Sequence, residues 1–293
     1  MNSVMIPKAV RPKNKLKPFI MKKIMLVLFG LFLVVACNNT QKKEETPKDT
    51  SKETSKETTK VIPKIYPDKL QKVFNAHGGI DKWNAAQTLV YEMVKPQMTE
   101  KHITDLHSRK TRLEGKNYTI GYDGKDVWLA QKDSTAFRGN ARFYHNLYFY
   151  FYAMPFVLGD DGITYDTTKS LEYENILYPG YEISYGENVG DSPEDNYFIY
   201  YNPETYQMEW LGYTVTYFNG KPSNKISYIR YEDWQKVNGV VLPKVITWHK
   251  TDEEGKLLDA RNSVSFDNVS LTTKTMENTM YERPEGAVVV PKG

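Results

Sequence analysis

Residues 140–155 read NARFYHNLYFYFYAMP, and this stretch decides the fold. Seven of its residues, between Phe143 and Tyr152, are aromatic. At helical spacing the apolar side chains form two stripes, one of Tyr144, Tyr148 and Phe151 and the other of Phe143, Leu147, Tyr150 and Met154. A helix that is apolar nearly all round is usually buried. We therefore predict a helix here, covered by a small antiparallel sheet that wraps around it.

The segments that flank this helix have the pattern of β-strands. Before it, we predict strands near residues 89–93, 103–107, 118–122 and 126–131, with Asp123-Gly124 as a hairpin turn. After it, we predict a meander over residues 197–201, 208–218, 225–234, 240–250 and 258–271. Strands and helices do not alternate along the chain, so the pattern gives no indication of a parallel sheet.

The last strand of the meander indicates an antiparallel sheet. Its apolar residues fall on one face and its polar residues on the other, the apolar set being Leu258, Ala260, Val264 and Phe266. One buried and one solvated face is typical of antiparallel sheets. The predicted fold class is therefore mainly β, of the α+β type, with one curved antiparallel sheet.

A leading helix precedes the strands. It begins near Pro67, carries apolar residues at helical spacing and ends at Gly78-Gly79, and a short helical segment follows over residues 81–86. His77 beside two glycines could suggest a catalytic base or a phosphate loop. The glycines, however, follow a helix and lack the GxGxxG and Walker patterns. We predict a C-capping turn with a partly buried histidine.

The N-terminal residues have the order of a secretory leader. Residues 1–36 contain seven Lys or Arg and no acid, and Met21-Lys22-Lys23 precedes an apolar run over residues 24–35. That run is well short of the about 20 apolar residues that cross a bilayer. It therefore predicts a cleaved signal peptide rather than a transmembrane helix. We expect translation to start at Met21.

The leader ends in LVVAC, residues 33–37, which resembles the bacterial lipobox. Cys37 is the only cysteine among 293 residues. We therefore predict that residues 1–36 are removed and that Cys37 receives the lipid. Two or more acyl chains would give a firm membrane anchor. Asn38 rather than Asp follows the cysteine, which favours the outer membrane of the cell envelope.

Removal of the leader also changes the charge. The chain has 39 basic and 36 acidic residues, and loss of the seven basic residues of the leader leaves 32 against 36, a net charge of −4. A mildly acidic protein gives no electrostatic basis for binding nucleic acid. Residues 37–64, with their TSKETSKETTK run, predict a lipidated disordered tether with a reach of about 30 Å. Residues 65–293 form a single domain by length.

Three motifs carry a family resemblance: His77-Gly78-Gly79 with Trp83, the segment of residues 154–160 (MPFVLGD), and the segment of residues 234–243 (WQKVNGVVLP). Together they resemble an uncharacterised group of lipoproteins from Bacteroidetes-type bacteria, which in turn is similar to the LolA/LolB-like lipoprotein carriers. The resemblance implies an unclosed β-barrel, with helices and an apolar cavity on its concave side. In those carriers the cavity takes acyl chains. The resemblance to them implies no catalytic residue in this chain.

The aromatic segment is the candidate ligand site. Its stripe could line an acyl-chain cavity through Tyr144, Tyr148, Phe151 and Met154, or the same residues could be plain core, since tyrosine suits either role. The remaining residues predict no catalytic residue, no metal and no cofactor, because GxSxG, HExxH and EF-hand spacings are missing and Cys37 is committed to lipid. Turn chemistry accounts for the aspartates Asp123, Asp126, Asp160, Asp161 and Asp166.

The leading functional hypothesis is therefore a non-enzymatic lipoprotein, anchored in the outer membrane by its own lipid, that binds a lipid or the acyl chains of another lipoprotein. A structural or adaptor lipoprotein with a filled core is the alternative. An enzyme acting on envelope lipid or glycan is the third, and it would require convergent polar residues in the cavity.

Overall fold

The computed structural model of the chain describes residues 64–186, 195–215 and 225–292. The predicted leader, Cys37 and the tether up to residue 63 lie outside these ranges. Among the described residues, no helix is both long enough and apolar enough to span a membrane.

Within these ranges, two short helices precede the first strand, and a longer helix interrupts the succession of strands. The helices are α1 (Asp68–Ala76), α2 (Ile80–Asn84) and α3 (Ala141–Tyr152). The strands are β1 (Thr88–Lys95), β2 (Met98–Asp105), β3 (Thr111–Glu114), β4 (Tyr118–Tyr122), β5 (Val127–Gln131), β6 (Ile163–Tyr173), β7 (Ile176–Tyr185), β8 (Tyr197–Tyr201), β9 (Met208–Tyr213), β10 (Ser227–Glu232), β11 (Gln235–Val237), β12 (Val240–Leu242), β13 (Val245–Thr251), β14 (Leu257–Thr272) and β15 (Val288–Val290). Two 3-10 turns, Phe156–Gly159 and Asn278–Met280, complete the described elements.

Thirteen of these strands form one antiparallel sheet, in the order β15-β5-β4-β3-β2-β1-β14-β13-β10-β9-β8-β7-β6. The terminal strands β15 and β6 are not paired with each other, so the sheet is not closed. Strands β11 and β12 form a separate hairpin. The predicted fold class, a mainly β protein with an unclosed antiparallel sheet and few helices, is confirmed.

Helix α3 shows that the sheet curves. It packs against β3, β4 and β5 near one end of the strand order. Its Phe151 ring also lies 5.1 Å from the ring of Tyr213 on β9, near the other end. One helix can touch both regions only if the sheet bends around it. The main core fills the space between the helices and the sheet, with Phe74, Tyr152 and Phe266 fully buried.

The predicted central helix is confirmed, and its ends have local causes. Asn140 caps the N-terminus, where its side-chain oxygen accepts a hydrogen bond of 3.0 Å from the Phe143 amide. Asn is among the preferred residues at this position because it satisfies a backbone donor that the helix leaves free. The helix ends before Pro155, as expected because proline disfavours helical conformation in the residue before it.

Strands β3, β6, β7, β11 and β15 were not predicted, and three strand predictions were wrong in detail. Strand β2 begins at Met98 rather than near residue 103, because charged residues conceal its alternation. Pro243 and Lys244 divide the predicted strand 240–250 into β12 and β13. Leu258, predicted to share the buried face of Val264, is 44% exposed. Strand β14 pairs with β13 through two irregularities, and extra residues of this kind shift the alternation of side chains.

Candidate functional site

The three motifs of the family resemblance meet at one place in the fold. The His77 ring lies 4.5 Å from that of Trp234, and the Trp83 ring stacks on Phe156 at 4.8 Å. The amide of Val241 donates a hydrogen bond of 2.8 Å to the His77 carbonyl. The motifs therefore join α1 and α2 to the β11–β12 hairpin.

His77 is a structural residue of this junction. It is fully buried, not partly buried as predicted. The Met208 amide donates to Nε2 at 3.0 Å, and Nδ1 lies 3.1 Å from the Val241 carbonyl. This pair of contacts fits one neutral tautomer, with the proton on Nδ1. Burial lowers the pKa of His77 to about 4, so the ring is neutral near pH 7 and both of its nitrogens are engaged.

The four predicted ligand-binding residues of α3 have different environments. Met154 is fully buried in the main core, and Phe151 is 4% exposed. Tyr144 and Tyr148 are half-buried, with ring centroids 5.6 Å apart. The structure therefore places Tyr144, Tyr148 and Phe151 along one side of α3 and Met154 in the core just after the helix.

Half-buried aromatic residues of the C-terminal half of α3 and of the facing strands form a band. We call this band the aromatic rim, and its members are Tyr148, Tyr150, Tyr185, Tyr197, Tyr213 and Trp248. The Trp248 ring lies 6.2 Å from Tyr148 and 6.1 Å from Phe151. The Trp248 indole nitrogen donates to the Tyr213 hydroxyl at 3.0 Å. The rim thus offers apolar ring faces whose polar atoms are partly satisfied within the protein.

A buried carboxylate lies near the start of α3, and the sequence analysis missed it. Glu100 on β2 is fully buried, and its neighbour on the same face, His102, is 2% exposed. The hydroxyl of Tyr144 donates to Glu100 at 2.7 Å, and the Lys95 ammonium lies 2.9 Å from it. The Tyr118 hydroxyl also donates to Glu100. The alternating positions of Glu100 and His102 on one strand face were the signal that could have revealed this cluster.

Hydrogen bonds keep Glu100 ionised. Burial by itself raises the pKa of this carboxyl, but hydrogen bonds from His102, Tyr118 and Lys95 outweigh it and lower the pKa to about 2. Burial and the Glu100 charge raise the pKa of Tyr144 far above its ordinary value. Both carboxylate oxygens already have protein donors, so the cluster has the character of a structural ion network.

The predicted turn roles of the aspartates fit at Asp123. Its side chain accepts hydrogen bonds of 2.8 Å from the amides of Lys125 and Asp126. Asp160 instead pairs with the Arg109 guanidinium, whose Nη2 lies 2.5 Å from its carboxylate. Within the described ranges, no group of His, Cys, Asp or Glu has the arrangement that could hold a metal ion.

Solved structures with a comparable chain path are distant in sequence. A LolA superfamily protein from Nitrosomonas europaea is 9% identical, with a TM-score of 0.41, over 68% of this chain and 89% of that one. A DUF1329 family protein from Desulfovibrio piger is 11% identical, with a TM-score of 0.44, over 74% of this chain and 98% of that one. The fold described above therefore rests on the sheet topology of the chain itself.

A comparison with curated proteins finds no match. The comparison with family models does find one, to a "Family of unknown function (DUF6503)", and the match extends over residues 22–263. This range includes the leading helices, the aromatic helix and most of the sheet. The chain belongs to the family of unknown function DUF6503.

Proposed function

We propose that this chain is a non-enzymatic lipoprotein, anchored in the outer membrane through Cys37, that binds a lipid or the acyl chains of another lipoprotein along the aromatic rim. The observation that carries the proposal is the continuity of the rim. Half-buried aromatic residues extend from α3 to β7, β8, β9 and β13 on the concave side of the sheet. An acyl chain placed there would remove apolar ring surface from water, which is favourable in proportion to the area.

In this proposal the acyl chain lies against three aromatic side chains. Tyr148 and Trp248 are the half-exposed walls, and the nearly buried Phe151 between them forms the floor. Met154 belongs to the same buried core as Phe151, so the acyl chain would lie in a groove rather than in an enclosed cavity. Tyr144 ends the groove at the Lys95 ammonium, whose nitrogen is 5.0 Å from the Tyr144 ring centroid. Such a groove would be apolar along its length and would end at the ion pair of Lys95 with Glu100.

A binding role suits the ion network around Glu100 better than a catalytic role. A catalytic acid or base needs a free site toward substrate. The Glu100 oxygens instead accept from Tyr118 and Tyr144 and lie beside Lys95. These contacts explain how α3 is held against β2 and β4, and they support a rigid groove.

The rim can be tested with a single uncharged lipid. The experiment uses the full chain carrying Cys37→Ala, which we call the unanchored chain, and 1-monolauroylglycerol as the probe. Native mass spectrometry should show one lipid for each chain. Tyr148→Gln should weaken binding about tenfold, because it removes an aromatic wall worth about 1.5 kcal/mol.

Tyr173→Gln is the matched control. Tyr173 is also a half-buried tyrosine, but it packs in a separate cluster against Trp210, with ring centroids 4.8 Å apart. We expect this control to bind the lipid as the unanchored chain does. An equal loss in both variants, or no lipid adduct on the unanchored chain, would contradict the proposed role of the rim.

The membrane anchor has its own test. We expect the unaltered chain, expressed in a Gram-negative host and labelled with radioactive palmitate, to carry the label and to sediment with the outer membrane. Cys37→Ala should abolish both, because the thiol is the acceptor for diacylglycerol. Asn38→Asp keeps the cysteine and should move the labelled protein toward the inner membrane. Label on the Cys37→Ala protein would refute the assignment of the lipid to this residue.

The packed core supports a second candidate function, that of an adaptor. Met154 and Phe156 are completely buried between the helices and the sheet. In an adaptor the rim would cover a protein partner rather than an acyl chain. The anchored chain would then co-purify with an envelope protein, and Tyr148→Gln would release that protein. A monomer that carries one bound lipid would exclude this candidate.

A further inference from the structure

A basic cleft lies on the opposite flank of α3 from Trp248. Its volume is about 250 Å³, and it is bounded by α3, the inner face of β2 and β3, and the C-terminal segment. Four cationic side chains line it: Arg109, Lys125, Arg142 and Lys292. The described residues that line the cleft include no aspartate or glutamate. The cleft therefore brings four cationic side chains together, one of which, Arg109, is paired with Asp160.

Two buried polar atoms at this cleft have no partner among the described residues. One is the hydroxyl of Thr111, a residue that is only 1% exposed, and the other is Nη1 of Arg109. A buried polar group without a partner typically costs about 1–3 kcal/mol. Native structures rarely retain such groups unless an ion, a water or a ligand satisfies them. Of the five such atoms among the described residues, two belong to side chains that line this one cleft, where an acceptor could satisfy both.

The Arg109 guanidinium is held in a fixed orientation. Its Nη2 is bound to Asp160, and its central carbon lies 5.1 Å from the Phe149 ring centroid. Asp160 therefore acts as the counterion on one edge of the guanidinium. The other edge, with Nη1, is left for a second acceptor. Arginine is the side chain best suited to a planar or tetrahedral oxyanion, because its donors form a fixed fork.

We propose that this cleft binds a phosphate group, with the Thr111 hydroxyl and Arg109 Nη1 as its direct donors. Lys125, Arg142 and Lys292 supply the surrounding positive charge. A volume of about 250 Å³ equals that of about eight waters at ~30 Å³ each, which is enough for a phosphate group and part of its solvation shell. This site stands on the cleft alone and does not require the rim to bind lipid.

The cleft and the aromatic rim share Tyr150, which lines the cleft and belongs to the rim. A phosphate on a lipid headgroup could therefore place its acyl chains on the rim. A free phosphate would occupy the cleft alone. The two sources have the same binding chemistry at Thr111 and Arg109. They differ in whether the affinity depends on Tyr148.

Calorimetric titration of the unanchored chain separates these sources. The probes are inorganic phosphate and dihexanoylphosphatidic acid. Thr111→Val should weaken the binding of both about tenfold, because a hydrogen bond to a charged ligand is lost. It should leave the unliganded protein at least as stable, since the variant removes an unsatisfied hydroxyl. Lys125→Met should weaken binding a few fold, whereas Lys101→Met, an exposed lysine outside the cleft, should not.

Each outcome has a defined meaning. Unchanged phosphate affinity in Thr111→Val, or no heat of binding with either probe at millimolar concentrations, would overturn the phosphate site and leave water as the partner of the two buried atoms. Tighter binding of phosphatidic acid than of phosphate, with the advantage lost in Tyr148→Gln, would support both proposals. Equal binding of the two probes would keep the phosphate site and count against the lipid role of the rim.

Discussion

We expect Gly78→Ala to abolish the stable fold of the chain. Gly78 has a φ of +98°, and a Cβ at this position would lie 2.2 Å from the Gly239 carbonyl oxygen and 2.9 Å from the Val240 Cα. Both of these atoms belong to backbone, which cannot move aside as a flexible side chain would. The variant would therefore separate α1 from the β11–β12 hairpin. We expect a loss of at least about 4 kcal/mol, from the strained φ and the clash together.

Gly79→Ala is the matched control for this prediction. Gly79 has nearly the same φ, +100°, but no atom lies within 4 Å of a Cβ built there. It should therefore lose only about 1–3 kcal/mol, the cost of a backbone conformation, φ 100° and ψ 138°, that alanine rarely adopts. Urea denaturation of the two variants of the unanchored chain measures the difference. Equal midpoints would show that the contact with Gly239 does not hold the motifs together.

Glu100→Ala should produce the second large loss of stability, about 3–5 kcal/mol. The variant removes the shared acceptor of the Tyr118 and Tyr144 hydroxyls and leaves the Lys95 ammonium without its carboxylate. Uncompensated buried donors and charges are costly because water cannot replace the lost partner. Since Tyr144 is on α3 and Tyr118 is on β4, we expect the helix to loosen from the sheet. Urea denaturation followed by tryptophan fluorescence would measure both effects.

Glu172→Ala, an exposed carboxylate on β6, is the control and should change stability by less than about 0.5 kcal/mol. The pH dependence gives a second signature. The folded-state pKa of Glu100 is about 2, below its ordinary value of 4.5. Its contribution to stability is therefore complete above pH 4.5 and is lost as the pH falls toward 2. Glu100→Ala should lack this part of the acid transition, and an unaltered transition would contradict the ionised state of Glu100.

Much of the fold followed from local pattern. The aromatic stripes of residues 140–155 predicted α3, and Asp123-Gly124 located the turn between β4 and β5. The predictions failed where tertiary contacts overrode alternation. The polar residues Glu100 and His102 concealed the start of β2, since a buried polar network looks like a solvent-exposed segment in a sequence. The bulges of β14 displaced Leu258 from the buried face because register depends on the partner strand.

The sequence by itself determined the aromatic helix and most strands of the meander, because each depends on composition and spacing within one short segment. The lipid anchor at Cys37 stays a prediction of the same local kind. Only the tertiary structure decided what that helix touches. It brought Trp248 and Tyr213 to one flank and Arg109 and Thr111 to the other, although these residues are far apart in the chain. The physical reason is the curvature of the sheet, which makes neighbours of side chains that no local periodicity relates.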